Sequence, residues 1–407
     1  VNFFLFFLNI FILFEKYHKL CLFLCLISLF TTLLFHDIPQ LEATKARLLG
    51  ALQSQHIAHA QLFFGTEGSA NLAMALAYAT YLHCENPQAQ DACGSCAGCK
   101  KHQKLIHPDM HFVFPTAVTK KVDSKPMSRD FIKDWREVVL QHPYFELSNW
   151  LEHIGASDKQ GNISVEESRE IVKTLSLKPF EGAYKILLIW LPEMMNVQSA
   201  NALLKILEEP PPQTVFLLVS QDVKQMLVTI ISRVQMVQIP SFTDAEVSEH
   251  LMKQFKLPKN EAEQIAYLAD GNMNRAYHLR YEGAKNDLHD WLRQWLRDVY
   301  QVNWANCLTH TEAFDSWDRE QQKQLLEYFL NICRECLMLQ ASSKELLRVT
   351  AEQMTFIEGL AKTLPAEKLY ELYALLGKAL YHLERNANTK LLFFDLSREI
   401  ASLMRKK

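Results

Sequence analysis

Gln61-Leu62-Phe63-Phe64-Gly65-Thr66-Glu67-Gly68-Ser69-Ala70-Asn71-Leu72 passes from a short apolar run through a glycine-bearing turn into an alanine-rich stretch that continues to Leu82. A four-residue apolar run bounded by glycine reads as a buried strand, and the stretch Ser69–Leu82 reads as a helix. The same alternation extends outward on both sides. Glu42–Ala58 has the spacing of an amphipathic helix, and His111–Phe114, Lys185–Trp190, Thr214–Val219 and Met236–Ile239 read as further strands. Ser164-x-x-Glu167 has the form of a capping box opening a helix to Leu175. Asn201–Glu209 reads as a helix stopped by Pro210-Pro211-Pro212, which lacks the N–H groups to continue it. Strands separated by helices imply right-handed crossovers and a mainly parallel sheet covered on both faces.

Beyond Pro240 the periodicity is helical throughout. Thr243–Phe255 and Asn260–Leu268 form a short helical unit, and longer apolar stripes follow from Asn286. A chain of 407 residues has room for two to four domains. The expected organisation is an α/β domain over 36–240, with a polar insertion at 116–161. A small helical domain then covers 241–283 and a helical bundle 284–407. Half the residues are hydrophobic, 22% are charged and only 12 are Gly, which excludes a disordered or collagen-like chain. A net charge of −3 excludes wholesale electrostatic binding of nucleic acid, so any DNA contact must come from local patches or partners. Residues 1–35 hold two apolar runs, Val1–Phe14 and Leu20–Phe35, neither reaching the length of a spanning helix. They are read as a doubtful leader, either upstream DNA translated in frame or a membrane anchor.

Three motifs carry chemistry. Gly65–Leu72 stands where a phosphate-binding loop would, but Ala70, Asn71 and Leu72 fill the places of its last glycine, its lysine and its magnesium-binding hydroxyl. The strand at Ile186–Ile189 lacks the two acidic residues that should follow it. Trp190-Leu191 come next, and Glu193 is the nearest carboxylate. ATP hydrolysis by this chain is therefore not expected. Cys84-x8-Cys93-x2-Cys96-x2-Cys99 offers four thiolates with small residues between them, the pattern of a closed, structural zinc site. Cys333 and Cys336 lie on the apolar stripe of a helix and read as buried free thiols, as does Cys307. Ser232-Arg233 precedes the last strand, where an arginine is either a surface residue or completes a neighbour's active site.

These residues carry a resemblance. The loop 65–72, the cysteine module, His107-Pro108-Asp109, Leu175-Ser176-Leu177-Lys178-Pro179, the run Ser199-Ala200-Asn201-Ala202-Leu203-Leu204-Lys205-x-Leu207-Glu208-Glu209-Pro210-Pro211 and Ser232-Arg233 occur in the order found in bacterial clamp-loader subunits. The chain resembles the delta-prime branch of that AAA+ family from about Leu34 to its C-terminus. The resemblance implies an AAA+ core, a helical lid and an all-α collar for ring assembly. It implies a subunit that does not bind ATP productively, is not an enzyme on its own and takes no small-molecule substrate. Its partners would be the gamma/tau and delta subunits, with the sliding clamp and primer-template DNA reached through the assembled complex in the cytoplasm. It further implies that Arg233 acts in trans as an arginine finger on the adjacent subunit's ATP. Val234 stands where the family motif has Cys. Gly271–Arg275 resembles the lid's second sensor, and with no nucleotide in this core Arg275 is expected to be structural. Rival readings are an active AAA+ ATPase and a membrane-attached zinc protein.

Overall fold

The computed structural model describes residues 34–157, 159–281, 287–341, 351–385 and 387–405. Val1–Leu33, most of the leader, lie outside the described residues. Contacts divide the chain into two compact units, one ending at Leu279 and the other beginning at Arg280.

The first unit is built on five parallel strands, β1 (Ala60–Phe64), β2 (Met110–Val113), β3 (Lys185–Trp190), β4 (Thr214–Ser220) and β5 (Gln235–Gln238), in the order β2-β3-β4-β1-β5. Side chains alternate between two covered faces, which explains why Ile186–Trp190 of β3 and Val215–Val219 of β4 are apolar throughout. Ile186, Leu188 and Trp190 of β3, with Val215, Leu217 and Val219 of β4, face one core. Leu187, Ile189, Phe216 and Leu218 face the other. Among the helices, α1 is Glu42–Gln53, α2 Asn71–Leu82, α3 Ala97–His102, α4 Ile132–Gln141, α5 Leu147–His153, α6 Val165–Leu175 and α7 Val197–Glu208. Every residue of α2 is buried, packed on the first face of the sheet. The apolar sides of α6 and α7 cover the second, through Ile171, Leu175, Leu203 and Leu207. The expected parallel sheet with helices on both faces is what the chain forms.

Several local expectations need correction. Helix α1 stops at Gln53 rather than Ala58, because Ser54 caps it and Gln55 turns into the left-handed region. Helix α7 starts four residues before the expected Asn201, where the Asn196 side chain accepts the Ser199 N–H. Ser164 does cap α6, accepting the Glu167 N–H at 3.2 Å. The Glu167 carboxylate does not reach back, however; it accepts the Ser128 N–H at 2.7 Å, joining α6 to the 116–161 segment. Leu34 and Phe35, assigned to the leader, are buried in the core, and the Phe35 and His36 N–H groups both donate to the Asp91 carboxylate.

The 116–161 segment, expected as a polar insertion with helices of its own, does carry helices, and it also contributes to the core. Its helices α4 and α5 bring Trp135, Phe145 and Trp150 against Phe114 and Trp190. Trp135 stacks on Phe114 at 4.4 Å and has no exposed surface. The Trp150 indole N–H donates to Pro115 O at 2.7 Å, so the ring's polar edge is satisfied inside the core.

Helices α8 (Val228–Ile231), α9 (Asp244–Phe255), α10 (Lys259–Ala269) and α11 (Met273–Tyr281) complete the first unit. A capping box at Thr243 and Glu246 starts α9. Val247, Leu251, Ile265 and Met273 belong to the same core as the first sheet face. The second unit is all helical: α12 (Asp287–Gln301), α13 (Trp304–Ser316), α14 (Arg319–Gln340), α15 (Ala351–Thr363), α16 (Ala366–Glu384) and α17 (Thr389–Arg405). Phe393 stacks between Trp295 and Phe314, and Cys307, Cys333 and Cys336 are buried as expected. Among the described residues no helix is long and apolar enough to cross a membrane.

The packing of Trp135 yields a test. Trp135→Ala should lower unfolding stability by about 3–5 kcal/mol, the range for emptying a large aromatic site. An exposed polar insertion would lose within about 0.5 kcal/mol. Denaturant midpoints at constant slope separate the two.

Candidate functional site

In the order β2-β3-β4-β1-β5 the chain leaves β1 towards one edge and later adds β5 on the other side. The crevice at the C-terminal ends of β1 and β4 is therefore the topological switch point, where open α/β sheets place ligands. The 65–72 loop lies there. Ala70, Asn71 and Leu72 are all buried. Asn71, in the lysine place, donates from Nδ2 to Ser220 O at 2.9 Å, closing the end of β4 instead of extending into the crevice. Leu72, in the hydroxyl place, joins the core. Gly65 N–H also donates to Ser220 O. Gly68 has φ +69°, and a Cβ there would lie 1.9 Å from Asn272 Oδ1. The Met273 N–H donates to Gly68 O at 3.0 Å, so the start of α11 rests directly on the loop. Asn272 in turn donates to Glu146 Oε1, and Asn274 to Asn149 Oδ1, which ties the 116–161 segment to the same contact.

Glu193 is not aimed at the loop. Its Oε1 accepts the N–H groups of Gln221 and Asp222 at 2.8 and 3.1 Å, and burial raises its pKa. It acts as a staple between the ends of β3 and β4.

The four cysteines come together as their spacing requires. The sulfur atoms of Cys84, Cys93, Cys96 and Cys99 lie within 4.8 Å of one another, with Cys93 and Cys99 4.0 Å apart. Tetrahedral Zn–S bonds of about 2.3 Å place sulfurs about 3.8 Å apart, so the set fits a metal ion closely. Backbone N–H groups point at the sulfurs: Cys93 at Cys84, Cys96 at Cys93 and Cys99 at Cys96, at 3.2–3.4 Å. Backbone donors from Ser95 and Cys96 bring the Cys93 thiol down to about 6, while burial pushes Cys84 and Cys99 up. A cation would reverse that penalty by stabilising all four thiolates. Gly98 has no room for a side chain, since a Cβ would meet His83 O at 2.3 Å.

Sequence reasoning missed a second cluster. His83, His102 and His107 are buried against the cysteine module. His83 Nδ1 lies 2.8 Å from His102 Nε2, its Nε2 lies 2.7 Å from Tyr184 O, and its ring stacks on His107 at 4.0 Å. His107 Nδ1 accepts the Asp109 N–H. The three rings are hydrogen-bonded and stacked, and one ring nitrogen from each lies within 4.8 Å of the others. Burial lowers the pKa of all three, His83 to about 4, so they are neutral at pH 7. The signal available in sequence was His107-Pro108-Asp109. Asp109 accepts the N–H groups of Phe180, Glu181 and Gly182 at 2.5, 2.8 and 2.7 Å, fastening the loop that leads into β3.

Arg233 follows α8. Its Nε donates to Glu208 Oε1 at 2.6 Å, its Nη2 pairs with the same oxygen, and its Nη1 donates to Thr229 O at 2.6 Å and Ser232 Oγ at 3.2 Å. Arg233 lies apart from the cysteine module and holds no contact with the 65–72 loop among the hydrogen bonds described.

Asp109 generates a pH prediction. Burial alone would raise its pKa, but the three backbone bonds and nearby His107 outweigh it, and the net shift is downward. A depressed folded pKa contributes stability above the unfolded value of about 3.9 and loses it as pH falls through the folded value. Asp109→Asn should be less stable than wild type by about 1–3 kcal/mol at pH 7. That difference should stay constant down to pH of about 4 and shrink below it, because protonated Asp109 is also uncharged. Urea titrations of both proteins across this range measure it.

The family model described as DNA polymerase III, delta subunit, matches residues 40–243. The chain is 24% identical over 389 residues to DNA polymerase III subunit tau of Bacillus subtilis, covering 89% of this chain and 60% of that protein. It is 30% identical over 248 residues to subunit delta' of Pseudomonas aeruginosa, covering 61% of this chain and 62% of that protein. It spans 25% of the tau/gamma subunit of Haemophilus influenzae, so it covers less than two thirds of the length of these relatives. A solved gamma subunit-related protein of Thermotoga maritima is similar at 16% identity and a TM-score of 0.35, over 88% of this chain and all of that one. The match to the family model spans the whole sheet, the cysteine module and Arg233, and on that ground the chain belongs to the DNA polymerase III delta subunit family, among the clamp-loader subunits.

Proposed function

We propose that the chain is a delta-prime-type subunit of a bacterial clamp loader that binds no ATP of its own. It would act within the DNA polymerase III holoenzyme in the cytoplasm, assembling with gamma/tau and delta subunits. Through that complex it would help to set the sliding clamp on primer-template DNA. The observation that carries this reading is the state of the nucleotide loop. Asn71 and Leu72 are buried in the places where a lysine and a hydroxyl would meet phosphate and Mg²⁺, and Asn272 packs on Gly68. The rival is an ATP-hydrolysing subunit of the tau type, favoured by the similarity to the Bacillus subtilis tau subunit. It would need a cation and an acidic pair that the sequence does not supply.

Arg233 then has a role in a neighbour's chemistry. A guanidinium presents a fixed planar fork of donors and never deprotonates, which suits the charge gathering on a transferred phosphoryl group. Its place on the surface beside α8, partly exposed, supports that assignment. Cys84, Cys93, Cys96 and Cys99 would hold one Zn²⁺. Four protein ligands leave no position for water, so the ion would fasten the segment between α2 and β2 rather than catalyse. Within this reading Arg275 serves the fold.

Two measurements test the proposal. Calorimetric titration of Mg-ATP into the full chain should give no saturable heat; binding at micromolar concentration would overturn the assignment. Elemental analysis should find about one zinc per chain. Cys96→Ser should release it and make the 84–102 segment sensitive to protease, because metal binding and local folding are coupled. A metal-free wild-type chain with the same protease resistance would remove zinc from the account.

A further inference from the structure

The Arg233 guanidinium is already occupied. Its Nε and Nη2 edge, the edge that presents two parallel N–H groups, is turned to a single oxygen of Glu208, and Nη1 is held by Thr229 O and Ser232 Oγ. An arginine so engaged cannot offer its fork to a phosphate without letting Glu208 go. Glu208 ends α7, within the Ser199–Pro211 run that the sequence marks out, and lies 25 residues before Arg233. Nothing in the roles assigned above gives that carboxylate a task. We propose that Glu208 is a positioning residue for Arg233: it stores the guanidinium against the chain's own surface and gives it up to the phosphate of a nucleotide held by the neighbouring subunit.

Two observations make the exchange feasible. The pair is partly solvated, with side-chain exposures of 29% for Arg233 and 48% for Glu208, so it is a modest interaction rather than a buried lock. Thr229 O and Ser232 Oγ hold Nη1 of the same planar head, so the Nε–Nη2 edge leaves Glu208 by pivoting about those two bonds. A phosphate carries more negative charge than one carboxylate and offers several acceptor oxygens, which favours the transfer.

The inference rests on the trans-acting role of Arg233, and the experiment separates the two. The reconstituted loader, with its own ATPase partners, clamp and primed DNA, is assayed for steady-state ATP turnover with wild type, Glu208→Gln, Glu208→Asp, Arg233→Ala and the double variant. Glu208→Gln keeps the shape and removes the charge. It should lower the concentration of this subunit needed for half-maximal stimulation by about two- to fivefold, the size expected of an exposed ion pair, with kcat unchanged. Glu208→Asp keeps the charge and should return most of the way to wild type. Arg233→Ala should reduce turnover about tenfold, scaled down from the larger effect of a single-site finger. Adding Glu208→Gln to it should then change nothing. If Arg233→Ala lowers turnover while Glu208→Gln leaves half-saturation unaltered, the latch is wrong and the finger stands. A fall in kcat for Glu208→Gln would place the carboxylate in the engaged state and also overturn the latch. Wild-type turnover with Arg233→Ala would remove finger and latch together.

Discussion

Burial of β3 and β4 on both faces is the constraint from which the first unit follows. Side chains that alternate between two cores require helices above and below. Parallel neighbours require crossovers, and right-handed crossovers bring the connections that follow each strand to the same edge. There Ser220, the last residue of β4, accepts from both Gly65 N–H and Asn71, while Glu193 after β3 gathers the next two N–H groups. The edge that would serve a ligand in an active nucleotide protein is thus cross-linked by the chain itself. Desolvating these backbone groups would be costly without such partners, so the loop residues maintain the end of the sheet.

The legibility of the sequence follows the range of each interaction. Lys185–Trp190 and Thr214–Val219 could be read directly because burial on two faces leaves a continuous apolar run. The cysteine module was legible because its four ligands come from one short segment. The 116–161 segment misled because its core contribution sits in a few aromatic rings separated by charged residues. Each ring buries roughly 150–250 Å², so Trp135, Phe145 and Trp150, with Val138 and Val139 on the same face of α4 as Trp135, fix the segment to the core. His83, His102 and His107 belong to different elements and meet only in the folded chain. Arg233 was visible as a candidate, but nothing local announces that a carboxylate from the end of α7 occupies it.

The half-buried cysteine module and the buried histidine cluster adjoin and together join α2 to the loop before β3. Lys101 and Glu181 pair across it, and Asp109 binds the same loop from the other side. Lys185 adds to this by donating to Thr174 O, which also accepts the Leu177 N–H, and to Leu177 O just past the end of α6. The Leu175–Pro179 run and His107-Pro108-Asp109 therefore have a shared structural purpose. They define how the segment between α6 and β3 turns.

The contact between Gly68 and Asn272 bears on how such a chain can change over generations. Placing a lysine at position 71 would not by itself create a phosphate site. It would break the Asn71 bond to Ser220 O and leave the start of α11 seated on the loop through Asn272 and Met273. Asn272 is held in turn by Glu146, so the 116–161 segment would also have to shift. Opening the loop to a phosphate would therefore take coordinated changes at Asn71, Asn272 and Glu146, because each contact is held by the next.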